Sequence, residues 1–381
     1  MPAASTDAAG PALRFDASDG DALLHWYDTE QRDLPWRRTS DPYRILVSEI
    51  MLQQTRVETV TPRYTRFLER FPDVGALAAA PVDDVLAEWS GLGYYRRARS
   101  LHAAAITIGD ELDGEFPRTY EQLKALPGIG DYTAAAIAGI AFGEPRVGID
   151  GNVVRVLCRY FGIADDPVRA AVHRRLKDAA ESLLVKHPPG QVTQALMELG
   201  ARVCTPRSPR CDECVLAARC IARIEERQAG LPIRRKQIIR DVAEAAAVIE
   251  RNGSLLLVRG QRPGLLAGMW EFPALDSRGA AEAQAEGVVA ESPAREATGL
   301  VAYLAQLGIQ PRAMEPLGEI RHGITNRRIT CTVYRAAAES EPEPEAPAGS
   351  GIEIGWFTAA EASQIPLAAS ATRILELLAS D

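Results

Sequence analysis

No apolar run in this 381-residue chain approaches the ~20 residues that a membrane-spanning helix needs. A helical membrane protein is excluded on that ground, and no membrane partner is expected. Residues 1–15 (MPAASTDAAGPALRF) have neither a basic start nor a long apolar stretch, so they do not read as a secretory signal. They are expected to form a disordered leader. An excess of positive charge is lacking too: the formal net charge is −8. The deficit is uneven. Residues 1–240 hold 32 Lys and Arg against 32 Asp and Glu, while residues 241–381 hold 11 against 19. Any nucleic-acid-binding face must then be a local patch in the first part. Cysteine is scarce, six in all, and four of the six fall between 204 and 220. Such clustering is unlike a secreted disulfide framework. It points to a metal centre in a reducing, cytoplasmic compartment.

What is present is ordinary for a soluble globular protein, with 46% hydrophobic and 25% charged residues. One core rarely serves a chain this long, so two domains are expected. Apolar residues recur at helical spacing over 42–56, 81–89, 97–112, 132–142, 153–161, 168–184 and 192–200. Gly and Pro punctuate these segments. Near 230–240 (GLPIRRKQIIR) the chain turns into a basic linker. Short apolar runs at 245–250, 254–259 and 329–335 read as strands. An acidic, low-complexity stretch at 339–351 (ESEPEPEAPAGSG) reads as a mobile loop, and 359–378 as helix. The expected layout is an all-helical domain over 16–228, a linker over 229–241 and a smaller α+β domain over 242–381.

The strongest metal signal is Cys204-x6-Cys211-x2-Cys214-x5-Cys220. Thiolates favour zinc or iron–sulfur clusters, and spacing alone leaves both open. Arg202, Arg207, Arg210 and Arg219 lie in or beside this loop, either as solvated charge or as phosphate contacts. Cys158 and Cys331 are isolated and read as buried small residues. Leu126-Pro127-Gly128-Ile129-Gly130 joins two helical segments. Gly128 and Gly130 allow a tight turn with bare N–H groups, and the following helix start favours a phosphate.

Two carboxylates stand out. Glu49 lies inside the run ILVSEIMLQQT at 45–55, where burial would raise its pKa and suit it to general acid work. A surface glutamate on an amphipathic helix is the plainer alternative. Asp150, in VGIDGNV, precedes a helix and suits an N-cap. It could also face a cationic sugar, and the two roles are compatible.

These motifs together decide between the alternatives. LPWR at 34–37, VSEIMLQQTRVETV at 47–60, GLGYYRRAR at 91–99, LPGIGDYTAAAI at 126–137 and IDGNVVRVLCR at 149–159 resemble, in order and separation, the MutY-type adenine DNA glycosylases. These belong to the endonuclease III or helix–hairpin–helix superfamily, whose 4Fe-4S loop the four cysteines also resemble. The resemblance implies a helix–hairpin–helix domain with a 4Fe-4S cluster on Cys204, Cys211, Cys214 and Cys220. It implies Glu49 as the acid that protonates adenine and Asp150 as the carboxylate stabilising an oxocarbenium-like sugar. Asn152, Arg37 and Tyr132 would support that centre. Gln54 and Tyr94 would enter the duplex, with Leu52 and Trp36 near the base pocket. The implied partner is double-stranded DNA carrying A:8-oxoG or A:G mispairs, and the enzyme is expected to be monomeric.

Endonuclease III itself resembles LPGVGRKTA at the hairpin, with a Schiff-base lysine. Tyr132 occupies that position here, so a monofunctional glycosylase is expected. In the second domain, WEFP at 270–273 resembles the signature of the Nudix-like recognition domain. A Nudix pyrophosphatase needs paired glutamates to hold magnesium, and REATGL at 295–300 lacks them. A catalytically silent DNA-binding protein is the remaining alternative, and the presence of both Glu49 and Asp150 opposes it. The family's Phe-Ser-His turn, which reads 8-oxoguanine, is replaced by Ile324-Thr325-Asn326. Thr325 and Asn326 keep hydrogen-bonding capacity, whereas Ile324 cannot stack as Phe would.

Overall fold

In the computed structural model the described residues are 12–233, 238–261, 266, 268–276, 293–324, 326–338 and 344–380. The chain divides into two compact units. The first comprises Met1–Ala79 and Ser100–Arg235, the second Ala80–Arg99 and Lys236–Asp381. A division at the basic linker alone does not anticipate the transfer of Ala80–Arg99 to the second unit.

The helices of the N-terminal part are α1 (Ala17–Glu30), α2 (Pro42–Leu52), α3 (Val57–Arg70), α4 (Val74–Ala78), α5 (Val82–Glu88), α6 (Arg96–Glu111), α7 (Tyr120–Ala125), α8 (Asp131–Phe142), α9 (Gly151–Tyr160), α10 (Ala170–Glu181), α11 (Pro189–Arg202) and α12 (Ile221–Ile224). Local chemistry sets their starts. Asp41 caps α2 by accepting from the Tyr43 and Arg44 N–H groups, with Pro42 in the first turn. Asp150 caps α9 by accepting from Val153 N–H. Helix α2 buries Tyr43 and every residue from Ile45 to Met51, so it is central and not amphipathic. Helix α8 buries Thr133 to Gly139, a run of mostly small side chains that lets neighbours approach closely. Helices α9 and α11 meet at Gly200, where a Cβ would lie 2.7 Å from the Asn152 Cβ.

One expectation at the N-terminus needs correction. Phe15, placed in the disordered leader, stacks on Tyr160 with ring centroids 4.6 Å apart and meets Phe161 edge-on at 5.1 Å. An aromatic ring gains too much from that apolar surface to stay in solvent. Residues 1–11 of that leader lie outside the described residues.

The C-terminal part is built on two sheets. In the first the order is β5 (Ala274–Asp276), β1 (Arg240–Val248), β7 (Arg327–Ala338), β6 (Pro311–Ile324), with β1 and β7 parallel and the other pairs antiparallel. In the second, β3 (Ser254–Arg259) pairs with β2 (Glu250–Arg251), β4 (Trp270–Glu271) and β8 (Glu353–Thr358), all antiparallel. Alternate residues of β1 enter two different cores. Ala246 and Val248 join a cluster containing Ile374, while Ala245 and Ala247 join one containing Leu300 and Leu304. The sheet is therefore covered on both faces, by α13 (Pro293–Gln306) and α15 (Ala369–Leu378). That is why β1 reads as a continuous apolar run.

Two strand expectations shift. The run at 245–250 is the end of β1 plus the start of β2, and the long strand β6 was not expected at all. The helix expected over 359–378 is broken into α14 (Ala359–Ala362) and α15. Pro366 lies in the break, where its carbonyl accepts from Trp270 N–H at 2.8 Å. Of the acidic stretch at 339–351, residues 339–343 lie outside the described residues.

The α9–α11 contact yields a stability test. Gly200→Ala should force the two helices apart and destabilise the protein by ~1–3 kcal/mol, read as a lower urea midpoint. An unchanged midpoint would show that the contact relaxes freely.

Candidate active site

Glu49 projects from the buried middle of α2 and is only 6% exposed. The Tyr132 hydroxyl, from the first turn of α8, donates to its Oε2. Burial drives the Glu49 pKa up to about 7; the Tyr132 hydrogen bond and the Arg37 charge oppose this, and Asp150 reinforces it. The Tyr132 phenol is held well above its usual pKa, first by burial and then by the charges of Glu49 and Asp150. It is therefore a proton donor in a hydrogen bond, not a base. Glu49 is therefore buried, and the plainer alternative of a surface glutamate on an amphipathic helix does not hold.

Asp150 is half-buried at the start of α9. Its Oδ1 accepts from Val153 N–H at 2.7 Å and its Oδ2 from Asn152 Nδ2 at 2.8 Å. Burial raises its pKa, while these donors and the Arg155 charge pull it back. The expected N-cap is thus realised, and it leaves the carboxylate only half-buried. Asn152 is held in turn: its Oδ1 accepts from Arg155 Nη2 at 2.8 Å. Arg155 is buried and also donates to Gly200 O at 2.8 Å and Cys204 O at 2.7 Å.

Sequence reasoning missed a third carboxylate. Glu198, on α11, is fully buried. It accepts from Arg32 Nε at 2.8 Å and Nη2 at 2.7 Å, and from Arg37 Nη2 at 2.7 Å. Burial alone would push its pKa up, yet the two guanidinium groups hold it at about 2. Its flanking run ALMELG is as apolar as the one around Glu49, which is the signal that could have found it. Arg37 also donates to Arg32 O at 3.1 Å and lies over the Tyr27 ring at 5.5 Å. It is locked by these contacts, so its charge reaches Glu49 from a fixed place.

Trp36 is buried and packs edge-on against Tyr64, with centroids 5.3 Å apart. Leu52, the last residue of α2, is half-buried. Gln54, just beyond it, is exposed and has φ +57°. Tyr94, in the second unit, is likewise exposed, at 45%, with φ +50°. Neither residue favours the left-handed region, so both sit in strained turns that aim polar or aromatic side chains at solvent. Gly128 has φ +72°, and a Cβ there would lie 2.3 Å from the Ser100 Cβ. Gly130 caps α8 without any side chain, leaving the first-turn N–H groups uncovered. Asn326 is exposed at the β6–β7 turn, and its Nδ2 donates to Ile238 O at 3.3 Å. Ile324 packs on the adjacent apolar core. Thr325 lies outside the described residues.

Cys204, Cys211, Cys214 and Cys220 line one small cavity. Arg159 Nη1 approaches Cys204 Sγ at 3.4 Å, and Gln228 Nε2 approaches Cys211 Sγ at 3.8 Å. Burial raises the Cys214 pKa to about 11, and the other three thiols add to the rise. Four such thiolates crowd one another unless a cationic centre lies among them, so the donor set fits a cluster. Cys158 and Cys331 are buried elsewhere, as expected. Of the loop arginines, Arg219 is engaged by Asp16 and Asp19, Arg210 by Glu213, and Arg202 by Glu30. Arg219 ties the loop to the start of α1, Arg202 joins α11 to α1, the Arg210 pair lies within the loop, and Arg207 is exposed.

The chain matches three family profiles. Residues 47–182 match the HhH-GPD superfamily base excision DNA repair proteins, 204–220 the iron-sulfur binding domain of endonuclease III, and 245–377 the NUDIX domain. The loop is accordingly an iron–sulfur-binding one. The adenine DNA glycosylase of Rattus norvegicus is 37% identical over 374 residues, covering 84% of this chain and 70% of that protein. That of Mycolicibacterium smegmatis is 46% identical over 217 residues, covering 56% and 73%. A thermostable thymine-DNA glycosylase is 29% identical with a TM-score of 0.49, over 55% of this chain and 100% of that one. On the strength of the full-length relatives, this chain belongs to the adenine DNA glycosylases of base excision repair.

Proposed function

We propose that the chain excises adenine paired with 8-oxoguanine or guanine, by acid-assisted cleavage of the N-glycosidic bond without lyase chemistry. The observation that carries this reading is the unequal treatment of two neighbouring carboxylates. Glu49 is buried against a single phenol, and burial raises its pKa to about 7, so the carboxylic acid persists toward neutral pH. Asp150 receives hydrogen bonds from Val153 and Asn152, which favour its anion. Burial raises the pKa of both, but Asp150 has a backbone N–H, the Asn152 amide and the Arg155 charge to pull it back, which suits Glu49 to the acid role and Asp150 to the anion.

In this mechanism Glu49 gives its proton to a ring nitrogen of adenine. The C1′–N9 bond then breaks with its electron pair leaving on the base. Asp150 faces the positive charge left on the sugar, as the second carboxylate does in retaining glycosidases. Water adds to C1′ and returns a proton to Glu49. Tyr132 orients Glu49, Asn152 orients Asp150, and Arg37 fixes the electrostatic background. Trp36 and Leu52 line the pocket for the extruded base. Gln54 and Tyr94 enter the duplex, and Gly128 and Gly130 present N–H groups to a phosphate. Thr325 and Asn326 contact the base opposite adenine. Tyr132 stands where a lyase carries its lysine and cannot form an imine, so cleavage of the strand awaits alkali. The protein acts as a cytoplasmic monomer.

The cluster is of the 4Fe-4S type, held by Cys204, Cys211, Cys214 and Cys220. All four thiols line one small cavity, which suits them to hold one centre together. When bound, the cluster supplies a covalent brace for the loop.

Purified anaerobically, the protein should hold about four irons per chain and be yellow-brown. Stoichiometric zinc in their place would defeat this assignment.

Glu49→Gln should abolish adenine release in single-turnover assays, and Asp150→Asn should slow it by orders of magnitude. Wild-type rates in either variant would refute the roles given. The same substitution has a stability consequence of fixed sign. The folded pKa of Glu49 is raised, so the folded state binds the extra proton and stability falls as pH rises toward and through about 7. Glu49→Gln should therefore stabilise the protein at pH 8 by on the order of 1–3 kcal/mol, with little effect at pH 4. Denaturant melts at the two pH values measure it.

Replacing both Thr325 and Asn326 by Ala should lower the preference for A:8-oxoG over A:G about tenfold. An unchanged ratio of single-turnover rates would remove that turn from the recognition surface and leave the catalytic reading intact.

A further inference from the structure

The loop that carries Tyr94 is unusual in its backbone. Gly91, Gly93 and Tyr94 have φ values of +81°, +68° and +50°. A non-glycine residue persists there only when its surroundings over-determine it. Part of the support is local. Trp89 Nε1 donates to Gly93 O at 3.2 Å, and Arg97 Nη2 donates to Leu92 O at 3.1 Å and Gly93 O at 3.0 Å. The Arg97 guanidinium also lies over the rings of Trp89 and Tyr94, at 5.5 and 5.6 Å.

The rest of the support comes from far along the chain. Tyr95, next to Tyr94, is buried and donates its hydroxyl to Leu367 O at 3.0 Å. Leu367 is itself fixed by strand β4. Trp270 N–H donates to Pro366 O at 2.8 Å, Ala368 N–H donates to Trp270 O at 3.0 Å, and Trp270 bridges Leu367 in parallel. Arg259 lies over the Trp270 ring at 5.0 Å and reaches Asp83 of α5 at 2.7 Å. Trp270 thus stands behind both links to the segment that bears the loop.

We propose that the Trp270-Glu271 strand holds the Tyr94 loop ready to enter DNA, with Tyr95 as the positioning residue that carries the hold through its hydrogen bond to Leu367. The inference rests on the reading that Tyr94 enters the duplex. It gives the signature strand a task in base extrusion, distinct from contact with the opposite base. Loss of the hydroxyl leaves the Tyr95 ring to fill its place but frees the loop to leave the strained conformation.

The test uses the full-length, cluster-loaded protein and a duplex with 2-aminopurine beside the adenine mispair, whose fluorescence rises when the stack opens. Tyr94→Ala should remove most of the rise. Tyr95→Phe should cut it to less than half and slow single-turnover adenine release roughly three- to tenfold, as loss of one hydrogen bond implies. Iron content and melting temperature should stay at wild-type levels. Should Tyr95→Phe lose iron, Asp83→Asn cuts the second link and is read by the same two signals. A wild-type rise and rate in Tyr95→Phe, or in Asp83→Asn where it stands in, beside a lost rise in Tyr94→Ala, would overturn the inference and leave the insertion reading standing. A full rise in Tyr94→Ala would overturn both.

Discussion

A buried guanidinium organises the centre of the first unit. Arg155 has little access to water, and a cation in that position is tolerable only if acceptors surround it. It finds them in the carbonyls of Gly200 and Cys204 and in the Asn152 side chain. Those acceptors come from the end of α11, from the first cysteine of the iron–sulfur loop and from the residue that holds Asp150. None can move far without stranding the charge. The absence of a side chain at Gly200 is part of the same arrangement, since it lets α11 reach the Asn152 backbone. The loop and Asp150 are thus set by a single shared partner.

Three carboxylates in this region feel burial alike but are paired differently. Glu198 has two arginines and stays ionised to about pH 2. Asp150 has neutral donors, and Glu49 has one phenol and titrates near 7. Burial pushes all three the same way, so partner chemistry alone separates them. Glu198 also keeps Arg37 from swinging onto Glu49. A free guanidinium beside Glu49 would hold it as the anion and remove its proton.

Much of the site was legible because its chemistry is local in sequence. The capping aspartate before α9 and the glutamate inside an apolar helix announce themselves within a dozen residues, and the cysteine spacing lies wholly between 204 and 220. Glu198 did not, because its partners Arg32 and Arg37 are more than 160 positions away. Arg155 and Arg159 were not singled out either, yet both are buried against loop carbonyls. Strand β6 escaped notice because only two of its residues, Ile320 and His322, are buried and Pro316 and Gly318 interrupt its pairing. Nothing in such a run alternates between apolar and polar. The loop arginines were ambiguous in sequence, and three of them turned out to have carboxylate partners.

The composition of the second unit has a consequence for synthesis. Ala80–Arg99 leaves the ribosome early, but its partners do not. Asp83 waits for Arg259, 176 residues on, and Tyr95 for Leu367, 272 residues on. At about 5–20 residues per second, that is a delay on the order of ten seconds or more. Through that interval the nascent chain has a helical half whose continuity is interrupted by a stretch with no place to settle. Trp89, Leu92 and Tyr95, buried in the finished protein, are then candidates for chaperone contact. Vectorial folding cannot complete the first half before the last strand and helix emerge.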